Sequence, residues 1–279
     1  MKKLFGVIGD PIAHSMSPLM HNELFKLEKI DAHYFPFHIS QDKLPAAIES
    51  LQVLGASGFN VTVPHKVAII PLLDKIDPLA EAIGAVNTVV NESGQFVGYN
   101  TDGSGFVRGL TTQLTHLEQK SVLMVGSGGA ARAIYFTLAK AGVQRLDIYN
   151  RTIDKAMQLI DECPYRVPSK VLDRNQTEKM LAEYDVIIQT TSIGMAPNIH
   201  KSPLRLTNLS AQAFVSDIIY NPFETLFLQE AKRIGAKTQN GIDMFVFQGA
   251  IAFEKWTGVF PDTQRMKQIV NNQLGGNIC

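Results

Sequence analysis

The sequence contains no run of about 20 consecutive apolar residues, the length that an α-helix needs to cross a bilayer. An apolar stretch, Leu4–Gly9, follows the basic start, but it ends at Asp10-Pro11 and is too short for the core of a secretory signal. These two absences predict a cytoplasmic protein with no membrane partner.

Cysteine is also scarce. The 279 residues include two cysteines, Cys163 and Cys279, which lie far apart in the sequence. Neither a disulfide framework nor a zinc-ligand spacing can be built from them. His14, His21 and His65 lack acidic or cysteine partners at a usable spacing, so the sequence predicts no metal site.

The chain has no excess of either charge, since Lys+Arg and Asp+Glu both total 26. A balanced chain exerts no long-range attraction on nucleic acid or on an anionic membrane. We therefore expect a small-molecule partner, recognised by local charges, and no nucleic-acid partner. The sequence leaves open whether the chain forms a homodimer. Its length suits one large or two medium domains.

Short apolar runs with strand character alternate with longer helical patterns, without internal repeats. The predicted strands are 4–9, 34–39, 58–63, 85–90, 95–98, 121–125, 145–149, 186–189 and 214–217, and the predicted helices include 18–27, 43–54, 130–142, 226–235, 245–257 and 262–273. Strands separated by helices indicate βαβ units and parallel sheets. The sequence therefore predicts an α/β protein.

Two candidate domain boundaries interrupt this alternation. The first is near Thr101–Gly105, where Asp102 opens a helix that runs toward Leu117, and a fresh α/β series starts at Ser121. The second, less distinct boundary lies near Gly235–Gly241. The sequence pattern alone leaves open which half the two terminal helices join.

A dinucleotide-binding pattern follows the strand 121–125. The next residues, Gly126–Ala131, have the form G-x-G-x-x-A and open a helix. Gly126 permits a tight turn, Gly128 lets the backbone approach a pyrophosphate, and Ala131 allows close helix–strand packing. The pattern by itself also occurs in glycine-rich turns without a ligand, but its place between a strand and a helix favours a cofactor. The predicted contacts in this turn are Gly126, Ser127, Gly128, Gly129 and Ala130.

The end of the following strand indicates which dinucleotide is bound. NAD sites usually have an acidic residue there, which holds the ribose 2′-OH. Here the strand ends in Asn150-Arg151-Thr152, with no acid and one guanidinium. An arginine fork can pair with a 2′-phosphate, so Arg151 favours NADP over its alternative role as a solvated surface residue. Asp147 is a weak counter-indication, since it lies in mid-strand.

Polar clusters mark the first third of the chain. Ser15-Met16-Ser17 precedes a helix whose first position is Pro18. Ser17 is a reasonable N-cap for that helix, which is an ordinary structural role. Ser15 has no such role and is a candidate for binding a ligand.

A second cluster lies at the end of the predicted strand 58–63. Asn60 and Thr62 share one strand face, because side chains alternate. An amide, a hydroxyl and then the Lys66 ammonium suit a polyhydroxylated acid, although most lysines are simply exposed. The third cluster contains Asn87 and, after a predicted hairpin, Asp102. On spacing alone, Asp102 is better explained as the N-cap of the next helix.

These motifs resemble the shikimate dehydrogenase family over almost the whole chain. The matching stretches are 9–22, 60–66, 84–88, 100–105, the turn at 126 with 150–152, 191–195, 217–222 and 241–248. The resemblance implies two α/β domains with the active site in the cleft between them. An N-terminal substrate domain with a mostly parallel sheet would comprise 1–101 plus 238–279, and a Rossmann-like NADP domain would comprise 102–237.

The resemblance also implies a reaction and roles for single residues. The reaction is the reversible NADP-dependent reduction of 3-dehydroshikimate to shikimate, in chorismate and aromatic amino acid biosynthesis, and it needs no metal. Lys66 and Asp102 would form the catalytic pair, and Ser15 and Ser17 would bind the substrate carboxylate. The other implied substrate contacts are Asn60, Thr62, Asn87, Tyr220 and Gln248, and the further cofactor contacts are Asn150, Arg151, Thr152, Thr191, Gly241 and Met244. By its own context, Met244 in an apolar helix is typical of a core residue.

One position departs from the family pattern. The strand before Thr191 usually ends in Asn, whereas here it ends in Gln189. Because this position is near the cofactor side, the details of the nicotinamide contact stay open.

Two rival functions are compatible with the same fold. The first is an NAD-linked quinate/shikimate dehydrogenase. Arg151 and the spacing of Ser15 and Ser17 favour the shikimate-selective NADP form over it. The second is a non-catalytic ligand sensor, which could lack Lys66 or Asp102, but both are present. Function depends on the site rather than on the fold.

Overall fold

The computed structural model describes residues 2–274, so Cys279 lies outside it. The described chain forms two compact units. One comprises the residues up to Thr101 and from Val246 onward, and the other is Asp102–Phe245. The sequence predicts that 1–101 with 238–279 binds the substrate and that 102–237 binds NADP. This division into functional domains stays a prediction. No helix in the described part is both long and apolar enough to cross a membrane.

A six-stranded sheet forms the first unit. Its strands are β1 (Lys3–Gly9), β2 (Ala32–His38), β3 (Gly58–Val61), β4 (Lys75–Ile76), β5 (Thr88–Glu92) and β6 (Gln95–Tyr99), in the spatial order β2-β1-β3-β5-β6-β4. β1 pairs in parallel with β2 and β3, β4 pairs in parallel with β6, and β5 is antiparallel to both of its neighbours. The sheet is mostly parallel, which confirms the prediction.

The second unit is built on a separate six-stranded sheet. Its strands are β7 (Ser121–Val125), β8 (Arg145–Tyr149), β9 (Val171–Leu172), β10 (Val186–Gln189), β11 (Phe214–Asp217) and β12 (Lys237–Gln239), all parallel, in the order β12-β11-β10-β7-β8-β9. This is the Rossmann strand order, and it reverses between β7 and β10. By its contacts the stretch 238–245 groups with this unit.

Helices cover the faces of both sheets. The described helices are α1 (Ser17–Leu27), α2 (Leu44–Val53), α3 (His65–Ala68), α4 (Pro78–Ile83), α5 (Asp102–Thr111), α6 (Gly129–Lys140), α7 (Ile153–Asp161), α8 (Arg174–Met180), α9 (Leu226–Ile234), α10 (Ile242–Thr257) and α11 (Thr263–Gln273). The helix that opens at Asp102 is shorter than expected, since it ends at Thr111 rather than near Leu117.

The two faces of the first sheet have different neighbours. One face packs on α2 in an apolar cluster that includes Ile8, Leu44, Ile48, Leu51, Phe59 and Val61. On the other face, Phe5 lies against Trp256 of α10, with ring centroids 5.2 Å apart. Phe5 of β1 pairs in register with Tyr34 of β2. On its other side, Phe5 pairs with the residue of β3 that lies two positions before Asn60. Alternate strand residues share a face, so Tyr34 and Asn60 lie on this second face.

β3 ends at Val61, earlier than the predicted 63. The carbonyl of Thr62 accepts the N–H of His65 at 2.9 Å, which forms a turn, and Val63 is exposed. The chain passes through this turn directly into α3. Lys66 therefore lies on a short helix and not at the end of a strand.

Candidate active site

The carboxyl ends of β7, β8 and β10 lie at the switch point of the second sheet, where ligands of such sheets bind. β7 leads into Gly126, whose φ of +114° is one that residues with a side chain rarely adopt. A Cβ atom on Gly126 would lie 2.5 Å from Thr190 Oγ1 and 2.9 Å from Thr191 Cγ2. The turn after β7 therefore packs on the residues that follow β10, and glycine is required there.

The helix after this turn has a start suited to an anion. α6 begins after Gly128, which is extended and provides no side-chain cap. The first N–H groups of a helix lack intrahelical partners and carry partial positive charge. A side chain added at Gly128 or Gly129 would meet nothing within 4 Å, so the space beside them is open. This geometry fits the pyrophosphate contact that the sequence predicts.

The tip of β8 carries the predicted ribose contacts. Asn150 Nδ2 donates to the carbonyl of Thr152 at 2.7 Å, which closes the tip into a turn. Arg151 lies between them and is exposed. The tip thus presents a guanidinium and no carboxylate.

Asp147, the acidic residue of β8, is fully buried. Its carboxylate accepts hydrogen bonds from Arg145 Nε at 2.7 Å, from the Tyr184 hydroxyl at 2.6 Å and from the Lys170 N–H at 2.8 Å. These partners occupy both carboxylate oxygens. Asp147 is therefore engaged within the protein, and its weak counter-indication against NADP no longer applies.

Gln189 ends β10 where the family pattern has Asn. Its side chain is fully buried. Its Oε1 accepts the N–H of Thr191 at 2.8 Å, and its Nε2 donates to the carbonyls of Thr191 and Ile193 at 3.2 and 3.0 Å. The longer amide therefore holds the loop that begins at Thr191, one of the predicted cofactor contacts.

Replacing Gly126 by Ala should weaken NADP binding roughly tenfold or more, because the turn must shift to relieve both the backbone strain and the contact with Thr190. The matched control is Gly142→Ala. Gly142 also has a positive φ, of 76°, but a side chain there would meet nothing within 4 Å. Both variants should lose some thermal stability, and only Gly126→Ala should lose affinity in an NADP titration. Unchanged NADP affinity in Gly126→Ala would contradict this role of the turn.

Ser15 and Ser17 lie where α1 begins, and the N-cap role that the sequence offered Ser17 is wrong. α1 begins at Ser17 itself, so Ser17 is not the N-cap, and Met16 takes that position without a side-chain cap. The Ser15 hydroxyl accepts the N–H of Ser17 at 3.3 Å. Ser15 thus has a structural role that the sequence did not indicate, whereas Ser17 is buried, with 8% of its surface exposed.

Asn60 is buried among protein groups, with 7% of its surface exposed. Its Nδ2 donates to the Asn87 carbonyl and to Thr88 Oγ1, both at 3.1 Å. Its Oδ1 accepts the Tyr34 hydroxyl at 2.7 Å. Thr62, predicted to share its strand face, follows β3 in the turn and is half-buried.

Asn87 bonds to Thr101 within the first unit. Its Oδ1 accepts the N–H of Thr101 at 2.8 Å, and its Nδ2 donates to Thr101 Oγ1 at 3.0 Å. The N–H of Val86, one residue earlier, donates to the carbonyl of Lys66 at 2.8 Å. Asn87 therefore adjoins the helix of Lys66 and holds the residue that precedes Asp102.

Lys66 and Asp102 are both half-buried and lie in the first turns of helices. Lys66 is the second residue of α3, and Asp102 is the first residue of α5. A carboxylate at the start of a helix is stabilised by the helix dipole. Because α5 begins at Asp102 itself, Asp102 is not the N-cap that spacing favoured but the first residue of the helix.

Tyr220 lies in the loop after β11, and Asp217 anchors that loop. Its carboxylate accepts the Ile219 N–H at 2.9 Å and the Thr225 hydroxyl at 2.8 Å. Burial raises the pKa of Asp217 to about 7, and these two hydrogen bonds oppose the rise. Tyr220 is half-buried, and its ring centroid is 5.7 Å from that of Phe245.

The remaining predicted contacts are grouped around α10. Met244 and Gln248 are four residues apart on this helix and so share one face. Both are half-buried, so Met244 is not a core residue. Gly241, just before α10, lies against the backbone of Ile218, and its N–H donates to the carbonyl of Ile219 at 2.9 Å.

Three polar side chains in this network were not predicted from the sequence: Tyr34, Thr88 and Thr101. Each is almost fully buried, and each bonds to Asn60 or Asn87. Thr88 and Thr101 lie within recognised motifs, 84–88 and 100–105, which was a usable signal, whereas Tyr34 is outside every motif. Within residues 2–274, no group of three or more His, Cys, Asp or Glu side chains is placed to hold a metal ion.

Comparisons with known proteins connect this geometry to a family. Residues 7–89 match the shikimate dehydrogenase substrate binding domain, 110–219 match shikimate/quinate 5-dehydrogenase, and 241–270 match the shikimate 5′-dehydrogenase C-terminal domain. The shikimate dehydrogenase (NADP(+)) of Bacillus anthracis is 56% identical over 277 residues, which are 99% of this chain and 100% of that protein. The chain belongs to the shikimate dehydrogenase family.

Solved structures of shikimate dehydrogenases share the two-domain α/β fold. One in complex with NADP+ is 40% identical, with a TM-score of 0.89 over 98% of this chain and 96% of that one. The enzyme of Thermus thermophilus, in complex with NADP(H) and shikimate, is 32% identical, with a TM-score of 0.87 over 97% and 99%. The quinate dehydrogenase of Corynebacterium glutamicum, in complex with NAD, is 31% identical, with a TM-score of 0.90 over 97% and 99%. Structures of similar fold thus hold NADP in some complexes and NAD in others, so the fold alone does not indicate the cofactor.

Proposed function

We propose that this chain catalyses the reversible NADP-dependent reduction of 3-dehydroshikimate to shikimate, a step in chorismate and aromatic amino acid biosynthesis. The observation that carries the proposal is the ribose end of the cofactor site. Arg151 follows β8 without a competing carboxylate, and Asp147 is engaged inside the protein. The identity of 56% to an NADP(+) enzyme along its whole length supports the same assignment.

The chain's own residues are suited to hold NADP. We assign the pyrophosphate to the start of α6, where no side chain caps the helix. We assign the 2′-phosphate to Arg151, with Asn150 and Thr152 shaping the tip. Thr191, Gly241 and Met244 are assigned to the nicotinamide side. When bound, NADP supplies the acceptor or donor of the hydride.

The substrate assignment follows the buried polar network. Ser15 and Ser17 bind the carboxylate through neutral hydroxyl groups in this proposal. The groups assigned to the substrate hydroxyls or to the pocket lining are Asn60, Thr62, Asn87, Tyr220 and Gln248. Asn60 and Asn87 are already oriented by protein hydrogen bonds, so little ordering remains to be done on binding.

Lys66 and Asp102 are assigned to proton transfer. Oxidation of a secondary alcohol requires its proton to leave as the hydride departs, so a base must lie within hydrogen-bond reach of that hydroxyl. In this proposal Lys66 meets the hydroxyl, and Asp102 orients the lysine and relays the proton.

Ser15→Ala should raise the KM for shikimate roughly tenfold, because a hydroxyl that donates to a carboxylate is lost. NADP affinity should be unchanged. The matched control is Ser210→Ala, since the Ser210 hydroxyl also accepts the N–H two residues ahead, that of Gln212, at 3.2 Å. The two variants should lose similar thermal stability, but Ser210→Ala should keep the wild-type KM. An unchanged KM in Ser15→Ala would mean that the carboxylate end is assigned wrongly.

Initial rates with four substrate pairs test the proposed function: shikimate or quinate, each with NADP or NAD. The highest kcat/KM is expected for shikimate with NADP. A preference for quinate with NAD would favour an NAD-linked quinate/shikimate dehydrogenase instead. Binding of shikimate without turnover of any pair would favour a ligand sensor.

The cellular context of the enzyme is proposed from the sequence. We place it in the cytoplasm, with a small-molecule substrate and without a nucleic-acid or membrane partner. A homodimer stays a prediction, which sedimentation of the purified chain can test.

A further inference from the structure

The helix that carries Lys66 is too short to hold its own position. α3 comprises four residues, which is about one helical turn. Pro64 precedes it, and no side chain caps its start. A single turn is unstable by itself, because fixing its backbone outweighs the hydrogen bond that it gains. The position of Lys66 therefore depends on the bonds that α3 makes with the rest of the first unit.

His65 is the one residue of α3 that is buried, with 0% of its surface exposed. Its ring Nε2 lies 2.6 Å from the carbonyl oxygen of Ile39. A carbonyl oxygen only accepts hydrogen bonds, so Nε2 carries a proton and donates it. Nδ1 has no hydrogen-bond partner among residues 2–274. The ring thus contributes one hydrogen bond, which connects α3 to the segment that follows β2.

This bond and a second one hold α3 on opposite sides of β3. Ile39 directly follows β2, and its N–H donates to the carbonyl of Gly9, at the end of β1, at 3.2 Å. On the other side, the N–H of Val86, two residues before β5, donates to the carbonyl of Lys66 at 2.8 Å. β1 and β2 lie on one side of β3 in the sheet, and β5 lies on the other. Lys66 is therefore placed between the side-chain bond of the preceding residue and a backbone bond of its own.

The neighbouring side chains offer no substitute for the ring of His65. Val63 and Val67 lie on either side of it in the sequence, and 68% and 65% of their surfaces are exposed. They give α3 little packing against the sheet. The bond from Val86 involves backbone groups only, so His65 is the side chain on which the attachment of α3 depends.

We propose that His65 is a positioning residue for Lys66, whose hydrogen bond to Ile39 holds α3 where the lysine meets the substrate hydroxyl. The inference rests on the proposed function, because it takes Lys66 to be the base in proton transfer. His65 acts through α3 and is not a catalytic residue, since its Nε2 is engaged with a backbone carbonyl.

Glutamine and asparagine at position 65 test the hydrogen bond itself. Counted along the side chain, the amide nitrogen of glutamine stands where Nε2 of histidine does, whereas that of asparagine stands only where Nδ1 does. His65→Asn and His65→Phe should lower kcat for shikimate oxidation roughly 10- to 100-fold, as expected for a catalytic group displaced by about 1 Å. His65→Gln should keep most of the wild-type kcat. The KM for shikimate and the Kd for NADP should change less than about threefold in all three variants.

Asn91→Ala is the matched control, because Asn91 Nδ2 also donates to a distant backbone carbonyl in the first unit, that of Ala56, at 2.8 Å. Thermal unfolding should show a loss of stability in both Asn91→Ala and His65→Phe. Only His65→Phe should lose kcat. A fall in kcat for Asn91→Ala as large as that for His65→Phe would overturn the proposal, since general loosening of the unit would then explain both.

A double-mutant cycle with Lys66→Ala tests whether His65 acts through the lysine. In the Lys66→Ala background, His65→Asn should lower kcat little further. Losses that multiply would overturn the proposal. A wild-type kcat in His65→Asn, or a His65→Gln enzyme as slow as His65→Asn, would also overturn it. The comparison of glutamine with asparagine stands even if His65→Phe does not fold.

The same measurements distinguish this inference from the proposed function. If the wild-type enzyme oxidises shikimate with NADP and His65→Asn keeps the wild-type kcat, only the role of His65 is wrong. If the wild-type enzyme neither binds nor oxidises shikimate, the proposed function and the role of His65 are both wrong.

Discussion

Lys66→Ala should lower kcat for shikimate oxidation roughly 10²–10⁴-fold, which is the usual contribution of a positioned general base. The KM for shikimate should change much less, because the lost proton transfer matters mainly in the transition state. The fold should tolerate the change. Lys66 holds Val86 through its backbone carbonyl, which alanine retains. Steady-state kinetics, with thermal unfolding measured in parallel, check both expectations.

Lys43→Ala is the matched control for this variant, since Lys43 is an exposed lysine in the same unit. It should have wild-type kinetics. A Lys66→Ala enzyme with nearly normal kcat would refute the lysine as the base. Asp102 acting through a water molecule would then become the leading candidate.

The partner of Lys66 gives a second test of the pair. Asp102→Asn should also be severely impaired in kcat while it still binds NADP. If the two residues act as a unit, the double variant should be little worse than the poorer single variant. Rate losses that multiply in the double variant would show that Lys66 and Asp102 act independently.

Arg151→Ala should weaken NADP binding about 10- to 150-fold and leave NAD binding nearly unchanged, because a charge-assisted hydrogen bond to the 2′-phosphate is lost. The side chain is exposed at the tip of β8, and the turn there is closed by Asn150 and Thr152 without it. The loss should therefore be specific to the cofactor. Titration of each dinucleotide against wild-type and variant protein measures the effect.

Arg166→Ala is the control for charge alone, since Arg166 is an exposed arginine of the same unit. It should leave both affinities unchanged. Equal losses for NADP and NAD in Arg151→Ala would contradict the assignment of the 2′-phosphate to this guanidinium. The preference would then have to come from another part of the site.

The sequence predicted the second sheet better than the first. The predicted strands 121–125, 145–149, 186–189 and 214–217 agree with β7, β8, β10 and β11 to the residue. Strands of a parallel sheet are buried on both faces, so they read as continuous apolar runs with clear ends. β4 and β9 contain only two residues each and are too short for any periodic pattern. β3 was predicted too long because the turn at Thr62 follows the strand without a change in polarity.

Only those parts of the candidate site that lie in short sequence motifs could be predicted from the sequence. The turn at Gly126 and the tip at Arg151 are local, so their chemistry is visible in consecutive residues. The roles of Ser15 and Ser17 depend on where α1 begins, and the sequence placed that start incorrectly. Tyr34 could not be found at all, because its bond to Asn60 exists only when β2 and β3 lie in one sheet.

Transfer of deuterium from labelled NADPH tests the central claim most directly. Purified enzyme is incubated with 3-dehydroshikimate and NADPH that carries deuterium at C4 of the nicotinamide, and the product is identified by NMR. We expect shikimate with deuterium at C3 and oxidised NADP in equal amount. Absence of shikimate, or its formation with NADH but not with NADPH, would contradict NADP-dependent reduction of 3-dehydroshikimate by this chain.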